Sequence, residues 1–460
     1  MPPAGLKVLI SGGGIAGLTL AVLLERAGIE YEVFERASTV RQLGSALSIG
    51  PSVLPMIEQL GLMEKFQEVS KVSGVVSNFN EELQVTSTVS YIELLGRTGY
   101  PNYVTPRPRF YDLLYSQIPK EKVHMNKRAE SIEQDDKDDG QVTITFTDKT
   151  TAQGHILVGA DGAYSGIRQL LYNKLDQQGK LPLSDKEELP CSSICLVGQT
   201  RPLSTDKFPY LLEKYCRMEI VSGKNKPYTW MTLCMPDNTI CWMVVEHLYL
   251  ETNRSEIIRN AEWGPGSTDA MIEKVKGFPI PSGAEGLTLA DIIDETPREL
   301  ISQVALEGKF FETWYSGRTV LIGDACHKMY PTATQGANTA IQDAIVLANY
   351  IHHMADTKIE TITTAFQGYY QERVGSARQA YETSDRFRQI FRKRFINSII
   401  RFILKYIPQF VWNRAFDRLY SNRPQIAFLP LIPDRGVIKA LSQRSLHLNE
   451  SSLSSSPPSS

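Results

Sequence analysis

The 460-residue sequence has few cysteines, no long apolar run and almost no net charge, and each shortage excludes a class of protein. The six cysteines form no CxxC pair, so we expect reduced, mostly buried thiols and no disulfide framework. No window of about eighteen uninterrupted apolar residues is present, which argues against a membrane-spanning helix. The net charge of −2 excludes a globally basic protein that binds nucleic acid.

Other chemical signatures are missing as well. No group of His, Cys and carboxylate residues shows the spacing of metal ligands, and no GxSxG nucleophile motif occurs, so we expect no metal. The first residues carry no charged n-region, which argues against a secretory signal and favours a cytoplasmic location. The composition, with 42% apolar and 22% charged residues, is typical of a globular enzyme, and the length favours two domains.

The first informative segment lies near the amino terminus, where an apolar run at 6–11 (LKVLIS) leads into glycines at 12–17 (GGGIAG). Such a run is typical of a buried strand. A Leu- and Ala-rich stretch at 18–27 follows, with Gly28 as a helix stop, and a second strand is expected at 31–35 (YEVFE). This order of strand, glycines, helix, strand and acid predicts a βαβ unit that binds a dinucleotide.

Each part of this unit has a chemical purpose. Gly12 permits the tight turn, Gly14 lets the backbone approach a pyrophosphate, and Gly17 lets the helix pack on the strand. The N–H groups at the helix N-terminus then meet the phosphate charge. Glu35 would accept hydrogen bonds from ribose hydroxyls and would repel a 2′-phosphate, so the site favours FAD or NAD over NADP.

Two later motifs decide between FAD and NAD. One follows an apolar run at 155–160 and reads DGAYSGIR at 161–168. The other follows a further apolar run and reads GDACH at 323–327, after which come Pro331 and QGAN at 335–338. In order and spacing, the three motifs together resemble those of single-component FAD-dependent monooxygenases of the aromatic-hydroxylase family (group A flavoproteins), in particular the fungal secondary-metabolite type.

The resemblance covers roughly residues 6–370 and implies roles for individual side chains. Asp324 would hydrogen-bond ribityl hydroxyls, and Arg107 would contact ribityl or phosphate groups. The N–H groups of 335–338 would face the flavin pyrimidine carbonyl and stabilise the reduced anion. Pro331 would line the flavin edge where oxygen reacts.

The resemblance assigns no catalytic side chain, and its cofactor-binding residues are Gly12, Gly14, Gly17, Glu35, Ser48, Arg107, Asp161, Gly323, Asp324, Pro331, Gly336, Ala337 and Asn338. Ser48 belongs to a segment, 44–54, that resembles the loop beside the dimethylbenzene side of the isoalloxazine. Asp161 belongs to a segment that would pack near the pyrophosphate and shape the path for reduced nicotinamide. Two positions depart from the family pattern, since Thr334 replaces a glycine and Ser52 replaces an asparagine.

Between the second and third motifs, the region 190–250 reads as successive strands and predicts an antiparallel sheet over the flavin. The expected strands are 193–198, 228–235 and 239–246. Six side chains are candidates for an apolar cavity, although such residues more often belong to the core: Trp230, Trp242, Tyr210, Tyr215, Met231 and Met243. Tyr215 and Arg217 would suit the orientation of a phenol or an anion. His247 and His327 are expected to be structural.

The segment 386–423 holds ten Lys or Arg residues against one acid, Asp417, interleaved with apolar residues at a helical spacing that Pro408 interrupts. Two interpretations are open. The segment is either an amphipathic element lying on an anionic membrane surface or a helix packed on the enzyme body with a solvated basic face. The second is slightly favoured. The serine- and proline-rich stretch at 451–460 is expected to be disordered.

These observations predict an α/β fold, with a Rossmann-like FAD-binding domain, an inserted antiparallel-sheet substrate domain and a helical C-terminal extension. The expected division is 1–75, 105–178 and 290–375 for the FAD-binding domain, 76–104 and 179–289 for the substrate-binding sheet, 376–440 for the basic helical region and 441–460 for a disordered tail.

The resemblance implies an enzyme that uses NADH or NADPH and O2 to hydroxylate or epoxidise a lipophilic or aromatic small molecule. Oxygen transfer would proceed through a flavin C4a-hydroperoxide, so the bound FAD would carry the hard chemistry. Two alternatives stay open. One is a flavin-dependent reductase of the geranylgeranyl-reductase type, which consumes no O2, and the other is a non-catalytic flavoprotein.

Overall fold

The computed structural model describes residues 2–39, 46–135, 137–138, 140–224, 226–253, 265–391 and 406–448. In chain order, the strands are β1 (Lys7–Ser11), β2 (Glu30–Phe34), β3 (Ala46–Ile49), β4 (Lys71–Asn80), β5 (Val85–Ser90), β6 (Tyr103–Pro106), β7 (Val123–His124), β8 (Ala129–Gln134), β9 (Val142–Phe146), β10 (Thr151–Gly154), β11 (Ile156–Gly159), β12 (Pro190–Gln199), β13 (Cys216–Ser222), β14 (Tyr228–Cys234), β15 (Ile240–Asn253), β16 (Ser302–Glu307), β17 (Lys309–Phe310), β18 (Tyr315–Ser316), β19 (Thr319–Leu321) and β20 (His327–Lys328).

The helices are α1 (Ile15–Ala27), α2 (Leu54–Gln59), α3 (Met63–Glu68), α4 (Leu94–Thr98), α5 (Arg107–Tyr115), α6 (Gly166–Gln177), α7 (Leu183–Lys186), α8 (Pro265–Val275), α9 (Ala290–Ile293), α10 (Gly336–His352), α11 (Ile359–Phe391) and α12 (Gln409–Tyr420). The stop expected at Gly28 is confirmed, because this residue ends α1 in the left-handed conformation with a φ of 69°. Helix α10 packs on α1 and is buried on all sides from Asn338 to Ile351, so its polar side chains, Asp343 among them, need partners inside the protein.

The first large sheet has six strands in the order β18, β19, β11, β1, β2 and β7. All neighbours are parallel except β18 and β19. The three sequence motifs follow β1, β11 and β19, which are adjacent in this sheet. Because parallel strands end at the same edge, the fold brings together motifs that are more than three hundred residues apart. The predicted Rossmann-like unit is therefore confirmed.

The second large sheet has nine strands, in the order β16, β12, β15, β14, β13, β4, β6 and β3, with β5 paired to β4. Its neighbours are antiparallel except β13 and β4. The three strands expected from the sequence are confirmed as β12, β14 and β15. The sheet extends beyond 76–104 and 179–289, because β3 and β16 form its two ends. A three-stranded sheet (β10, β9, β8) and the pair β17 and β20 complete the strand pairing among the described residues.

The carboxyl-terminal helix α12 begins directly after Pro408, as the sequence indicated. It buries Phe416 and Tyr420 against a small apolar cluster and exposes Arg414 and Arg418 to solvent. The arrangement of α12 therefore agrees with the second interpretation of the basic segment, a helix packed on the enzyme body with a solvated basic face. Residues 392–405 of the basic segment lie outside the described residues. None of the helices described is long and apolar enough to cross a membrane.

The expected disordered tail at 441–460 is wrong for its first part. A short 3-10 turn at Arg444–Leu446 packs on the body, and the backbone N–H and hydroxyl of Ser445 donate to the Glu372 carboxylate at 2.9 and 3.0 Å. Ser445 is fully buried, so these hydrogen bonds fix the chain in place. Composition did not reveal this contact, because it depends on Glu372 from a distant helix. The expectation for 451–460 lies outside the described residues.

Candidate cofactor and substrate site

A single cavity of about 1260 Å³ opens where the three motifs meet the nine-stranded sheet. The predicted cofactor-binding residues on its wall are Gly14, Ser48, Arg107, Asp324, Pro331, Gly336 and Ala337. The other predicted residues do not line it but hold the loops that do: Gly12, Gly17, Glu35, Asp161, Gly323 and Asn338. The structure thus brings both groups to one place. Their individual contacts with a cofactor stay predictions.

Two helix N-termini open onto this cavity. Helix α1 starts after Gly14 and helix α10 starts after Gln335, and among the described residues neither N-cap position caps its helix with a side chain. Gly14, Ile15 and Ala16 line the cavity at the first helix, and Gly336 and Ala337 line it at the second. Uncapped N–H groups and the positive ends of two helix dipoles favour negative charge, as in a pyrophosphate or a reduced flavin.

The glycines of the first motif have different constraints. A Cβ atom on Gly17 would overlap the carbonyl oxygen of Gly12, and one on Gly12 would overlap the backbone of Ala160. A Cβ atom on Gly14 would meet no atom of the described residues within 4 Å. Gly12 and Gly17 therefore serve the close packing of strand and helix, whereas Gly14 leaves open room on the cavity side. That room is what a pyrophosphate approaching the backbone requires.

Glu35 lies beside the glycine loop, at the end of β2. Its carboxylate accepts hydrogen bonds from the N–H groups of Gly13 at 2.8 Å and Ala37 at 2.9 Å. Two backbone donors therefore fix its position before any ligand binds. The carboxylate retains further acceptor capacity, which is what hydrogen bonds from ribose hydroxyls would need.

Arg107 and Asp324 provide opposite charges on the cavity wall. The Arg107 guanidinium makes no hydrogen bond or ion pair with any residue that the structure describes, although it begins α5 and lines the cavity. Burial alone would raise the pKa of Asp324. The Lys328 ammonium 2.7 Å away, together with the charges of His327 and Arg107, outweighs burial and lowers that pKa. Asp324 is therefore an ionised acceptor, as its predicted contact with ribityl hydroxyls requires.

Replacing Arg107 by Met should weaken FAD binding by about tenfold or more, because a charge-assisted hydrogen bond contributes about 1.5–3 kcal/mol. Arg109 on the same helix provides the matched control, since it pairs with the exposed Asp237. We expect the Arg109→Met variant to bind FAD normally when both apoproteins are titrated with FAD. Equal affinities for the two variants would remove Arg107 from the site.

The second motif supports the third motif through a buried arginine. The half-buried Asp161 carboxylate accepts hydrogen bonds from the Ser165 hydroxyl and the Ile167 N–H, so it stabilises the start of α6. The buried Arg168 donates to the carbonyl oxygens of Ala163 at 2.7 Å and Ala325 at 2.9 Å. Because Ala325 belongs to the third motif, Arg168 fixes the loop that carries Asp324.

Asn338 performs a similar task at the start of α10. Its fully buried amide accepts from the Gly50 N–H at 2.9 Å and donates to the Ser48 carbonyl at 2.8 Å. The Ser48 hydroxyl also pairs with the Asn102 side chain at 3.1 Å. The loop around β3, which the resemblance places beside the isoalloxazine, is therefore anchored to the helix that follows the third motif.

A fully buried ionic network lies beneath the third motif. The Asp343 carboxylate binds the His327 Nε2 at 2.6 Å, the Arg373 Nε at 2.8 Å and the Gly323 N–H at 3.0 Å. Burial alone would lower the pKa of His327, but the adjacent Asp343 charge raises it well above its ordinary value. His327 is thus a structural cation.

One cluster among the described residues, Cys326, His327 and Asp343, brings ligand-type atoms within 4.8 Å of one another. No spacing pattern in the sequence indicates this cluster, because Asp343 lies on a separate helix. Burial raises the pKa of the Cys326 thiol, which keeps it protonated, and the Arg373 guanidinium already sits on Asp343. A protonated thiol and a neighbouring cation disfavour metal binding at this cluster. Its geometry therefore fits an ion-pair network of Asp343 with His327 and Arg373.

Thr334, which stands where the family has glycine, adopts the left-handed conformation with φ 53° and ψ 25°. This backbone region is uncommon for a β-branched residue. The departure therefore changes the side chain but not the loop conformation. The Thr334 side chain lies on the cavity wall, directly before α10.

We expect Thr334→Gly to raise the free energy of unfolding by about 0.5–1 kcal/mol. The relief of about 1–2 kcal/mol of left-handed strain exceeds the extra backbone entropy that glycine loses on folding. Ala333→Gly is the matched control, since the φ of Ala333 is not positive, and it should be neutral or destabilising. Urea unfolding of the two variants measures both effects. A loss of stability in Thr334→Gly would contradict the strain.

The other side of the cavity is the face of the nine-stranded sheet. Of the six candidate residues, Met231 and Met243 line the cavity. The other four lie off the cavity wall. Three of them, Trp230, Trp242 and Tyr210, belong to the core of the sheet domain, as the sequence analysis expected for most such residues, and Tyr215 is exposed. Arg217 pairs with Glu213 at the surface. His247, expected to be structural, lies on the cavity wall.

Part of the wall comes from the carboxyl-terminal region, which sequence reasoning had not assigned to the site. Trp412, Phe416 and Leu419 of α12 line the cavity, together with Phe387 of α11. Helix α12 is held in place by a bidentate ion pair between Arg97 and Asp417. One feature of the sequence could have indicated this contribution: residues 412, 416 and 419 are spaced to lie on one face of a helix. The sequence does not show what that face packs against.

Three features of the described residues fit a flavin dinucleotide: two helix N-termini without a side-chain cap, open room beside Gly14, and the Arg107 guanidinium without a hydrogen bond or ion pair. A model of the FAD binding domain family matches residues 5–185 and 284–383. The chain belongs to this family, and it is an FAD-dependent monooxygenase of the aromatic-hydroxylase type. FAD is therefore its cofactor.

Relatives of similar length support this assignment. The chain is 31% identical to the FAD-dependent monooxygenase ptmM of Penicillium ochrochloron, over 84% of this chain and 89% of the relative. It is 29% identical to the FAD-dependent monooxygenase atmM of Aspergillus flavus, over 92% and 87%. Among solved structures, Klebsiella pneumoniae HpxO complexed with FAD and uric acid has the same fold. That match has a TM-score of 0.70 and 17% identity, and it covers 91% of this chain and 97% of HpxO.

Proposed function

We propose that the protein uses NADH or NADPH and O2 to hydroxylate or epoxidise a lipophilic or aromatic small molecule. Bound FAD would supply the redox and oxygen-transfer chemistry, by the C4a-hydroperoxide route that the family resemblance implies. The observation that carries the proposal is the continuity of one cavity from the three motifs to an apolar sheet face. A substrate bound on that face would lie in the same cavity as the flavin.

The chain's own residues would position the reactants and exclude water. The N–H groups at the start of α10 would stabilise negative charge on a reduced cofactor. Methionines of the sheet face and aromatic residues of α12 would surround the substrate with apolar surface. Such a wall keeps water from reactive oxygen species and orients an apolar molecule without a dedicated acid or base.

Oxygen uptake by the FAD-loaded protein tests this proposal. A panel of aromatic and isoprenoid compounds would be screened for NADH or NADPH oxidation that depends on the compound and is coupled to O2 uptake. Mass spectrometry should find a product heavier by one oxygen atom, labelled when ¹⁸O2 is supplied. Saturation of an alkene without O2 uptake would instead establish a reductase. Failure of NADH and NADPH to reduce the flavin with any compound would favour a non-catalytic flavoprotein.

We further propose that the 386–423 region attaches the enzyme to an anionic membrane surface, where a lipophilic substrate would partition. Support comes from the exposed Phe410 and Val411 of α12, which lie near the exposed Arg414 and Arg418. Co-sedimentation with phosphatidylcholine vesicles, with and without phosphatidylserine, tests this. We expect binding only to the anionic vesicles and weaker binding after Phe410→Ser. Equal recovery in the supernatant with both vesicle types would refute the attachment.

A further inference from the structure

One strand, β15, places a polar group at the end of an otherwise apolar row of side chains. Alternate residues of β15 face the cavity, namely Cys241, Met243, Val245 and His247. The Cys241 thiol lies against the backbone of Ala46 at the start of β3, the strand that the resemblance places beside the flavin. Six residues of strand span about 20 Å, so His247 lies about that far along the wall from Cys241.

Two hydroxyl groups hold the imidazole in place. The Nε2 of His247 is 2.9 Å from the Thr229 hydroxyl, and its Nδ1 is 3.4 Å from the Ser193 hydroxyl. Both Ser193 and Thr229 are buried, while the ring of His247 is half-buried and reaches the cavity. Buried partners of this kind restrict the orientation of a ring, and because a hydroxyl can donate or accept, either ring nitrogen can carry the proton.

A β-bulge helps to build this polar corner. The pairing of β12 with β16 shifts between Cys191 and Ser193, so two residues of β12 oppose one step of β16. As a result, the consecutive residues Ser192 and Ser193 both line the cavity, whereas a regular strand would turn one of them away. Bulges are frequent beside active sites, where they redirect side chains.

We propose that His247 recognises a hydroxyl or carbonyl group at one end of an elongated, otherwise apolar substrate. This inference rests on the proposed function, because it places the substrate in the same cavity. The 3.4 Å contact with Ser193 is near the upper limit for a hydrogen bond, so Nδ1 can form a shorter hydrogen bond with a substrate group in the cavity. The apolar body then lies along Val245 and Met243 and extends towards the flavin end of the wall.

Matched pairs of rod-shaped probes test the recognition directly. The probes are 4-hydroxystilbene with stilbene and 4-hydroxybiphenyl with biphenyl, and binding to the FAD-loaded protein is measured by equilibrium dialysis without NADH or NADPH. We expect each hydroxylated probe to bind about tenfold more tightly than its parent. That ratio corresponds to about 1.4 kcal/mol, the size of one buried hydrogen bond.

Three variants locate the effect. His247→Leu should abolish or reverse the preference, because the hydroxyl then loses its hydration without gaining a partner. His247→Gln should retain part of the preference, and Met243→Leu should change both members of a pair equally. An unchanged preference in His247→Leu would overturn the proposal, as would a wild-type protein that binds none of the probes or does not discriminate between pair members.

The subsite and the proposed function can fail separately. If the preference depends on His247 but no compound stimulates O2 uptake, the subsite stands and the monooxygenase reaction falls. If O2 uptake is coupled to a substrate but His247→Leu leaves the probe preference intact, the reaction stands and the subsite is wrong.

Discussion

Replacing Asp343 by Asn is expected to lower the free energy of unfolding by about 3–5 kcal/mol, because it leaves buried cations without their shared anion. The Asp343 carboxylate is fully buried and binds His327, Arg373 and the backbone of Gly323. The same change loosens the third motif, so FAD retention should fall as well. Thermal unfolding and the FAD content of the purified variant measure the two effects.

Asp324→Asn is the matched control for this experiment. Asp324 is also paired with a cation in the third motif, but its side chain and that of Lys328 are about one-third exposed. Partly exposed ion pairs contribute about 0–1 kcal/mol, so Asp324→Asn should leave stability nearly unchanged while FAD affinity falls. A loss below about 1 kcal/mol in Asp343→Asn would show that the buried network does not stabilise the fold.

The pH dependence of stability provides an independent check on the same network. The raised pKa of His327 means that its contribution is complete below about pH 6.5, the unfolded value, and is lost as pH rises through the folded pKa. Burial alone would raise the pKa of Asp343, but His327 and Arg373 lower it. The Asp343 contribution is therefore complete above about pH 4 and lost at lower pH.

The stability difference between wild type and Asp343→Asn should accordingly shrink as pH increases above about 6.5. It should shrink again below about pH 4. Thermal unfolding at a series of pH values, with both proteins in the same buffers, measures this difference. Parallel curves across the whole range would mean that His327 and Asp343 do not titrate as a pair.

How much of this site the sequence predicts depends on how far apart the contributing residues are. The first motif was predictable because a strand, its glycines and its helix are contiguous, so local spacing determines the turn at Gly12 and the helix start after Gly14. Convergence of the three motifs was also predictable, because each follows a strand and parallel strands end at one edge.

Long-range partners were not predictable in this way. Asp343 reads as an ordinary helix position until the fold places it between His327 and Arg373. Phe416 likewise reads as one face of an amphipathic helix, and only tertiary packing shows that this face closes the cavity. The role of His247 depends on Ser193 and Thr229 from two neighbouring strands. In each case the local sequence pattern is compatible with several positions in a fold. Only the tertiary packing determines which position the residue occupies.

Substitutions at two glycines of the first motif should distinguish a loss of fold stability from a loss of cofactor binding. Gly17→Ala places a Cβ atom against the Gly12 carbonyl oxygen, a backbone atom that a side-chain rotation cannot move aside. We expect a loss of about 3 kcal/mol in the free energy of unfolding and at least a hundredfold loss of FAD affinity, because strand and helix must separate. Fluorescence titration with FAD and urea unfolding of the apoprotein measure the two quantities.

Gly14→Ala provides the contrast, because its Cβ atom meets no atom within 4 Å in the part of the chain that the structure describes. The apoprotein should change in stability by less than about 1 kcal/mol, the size of a helix-cap substitution. FAD affinity should still fall at least tenfold, since the methyl group occupies the space through which a pyrophosphate reaches the first N–H groups of α1. Normal FAD binding by Gly14→Ala would show that the pyrophosphate does not bind beside Gly14, and the result for Gly17→Ala would not change that conclusion. A variant pair in which both stabilities fall equally would instead mean that Gly14 serves packing, as Gly12 and Gly17 do.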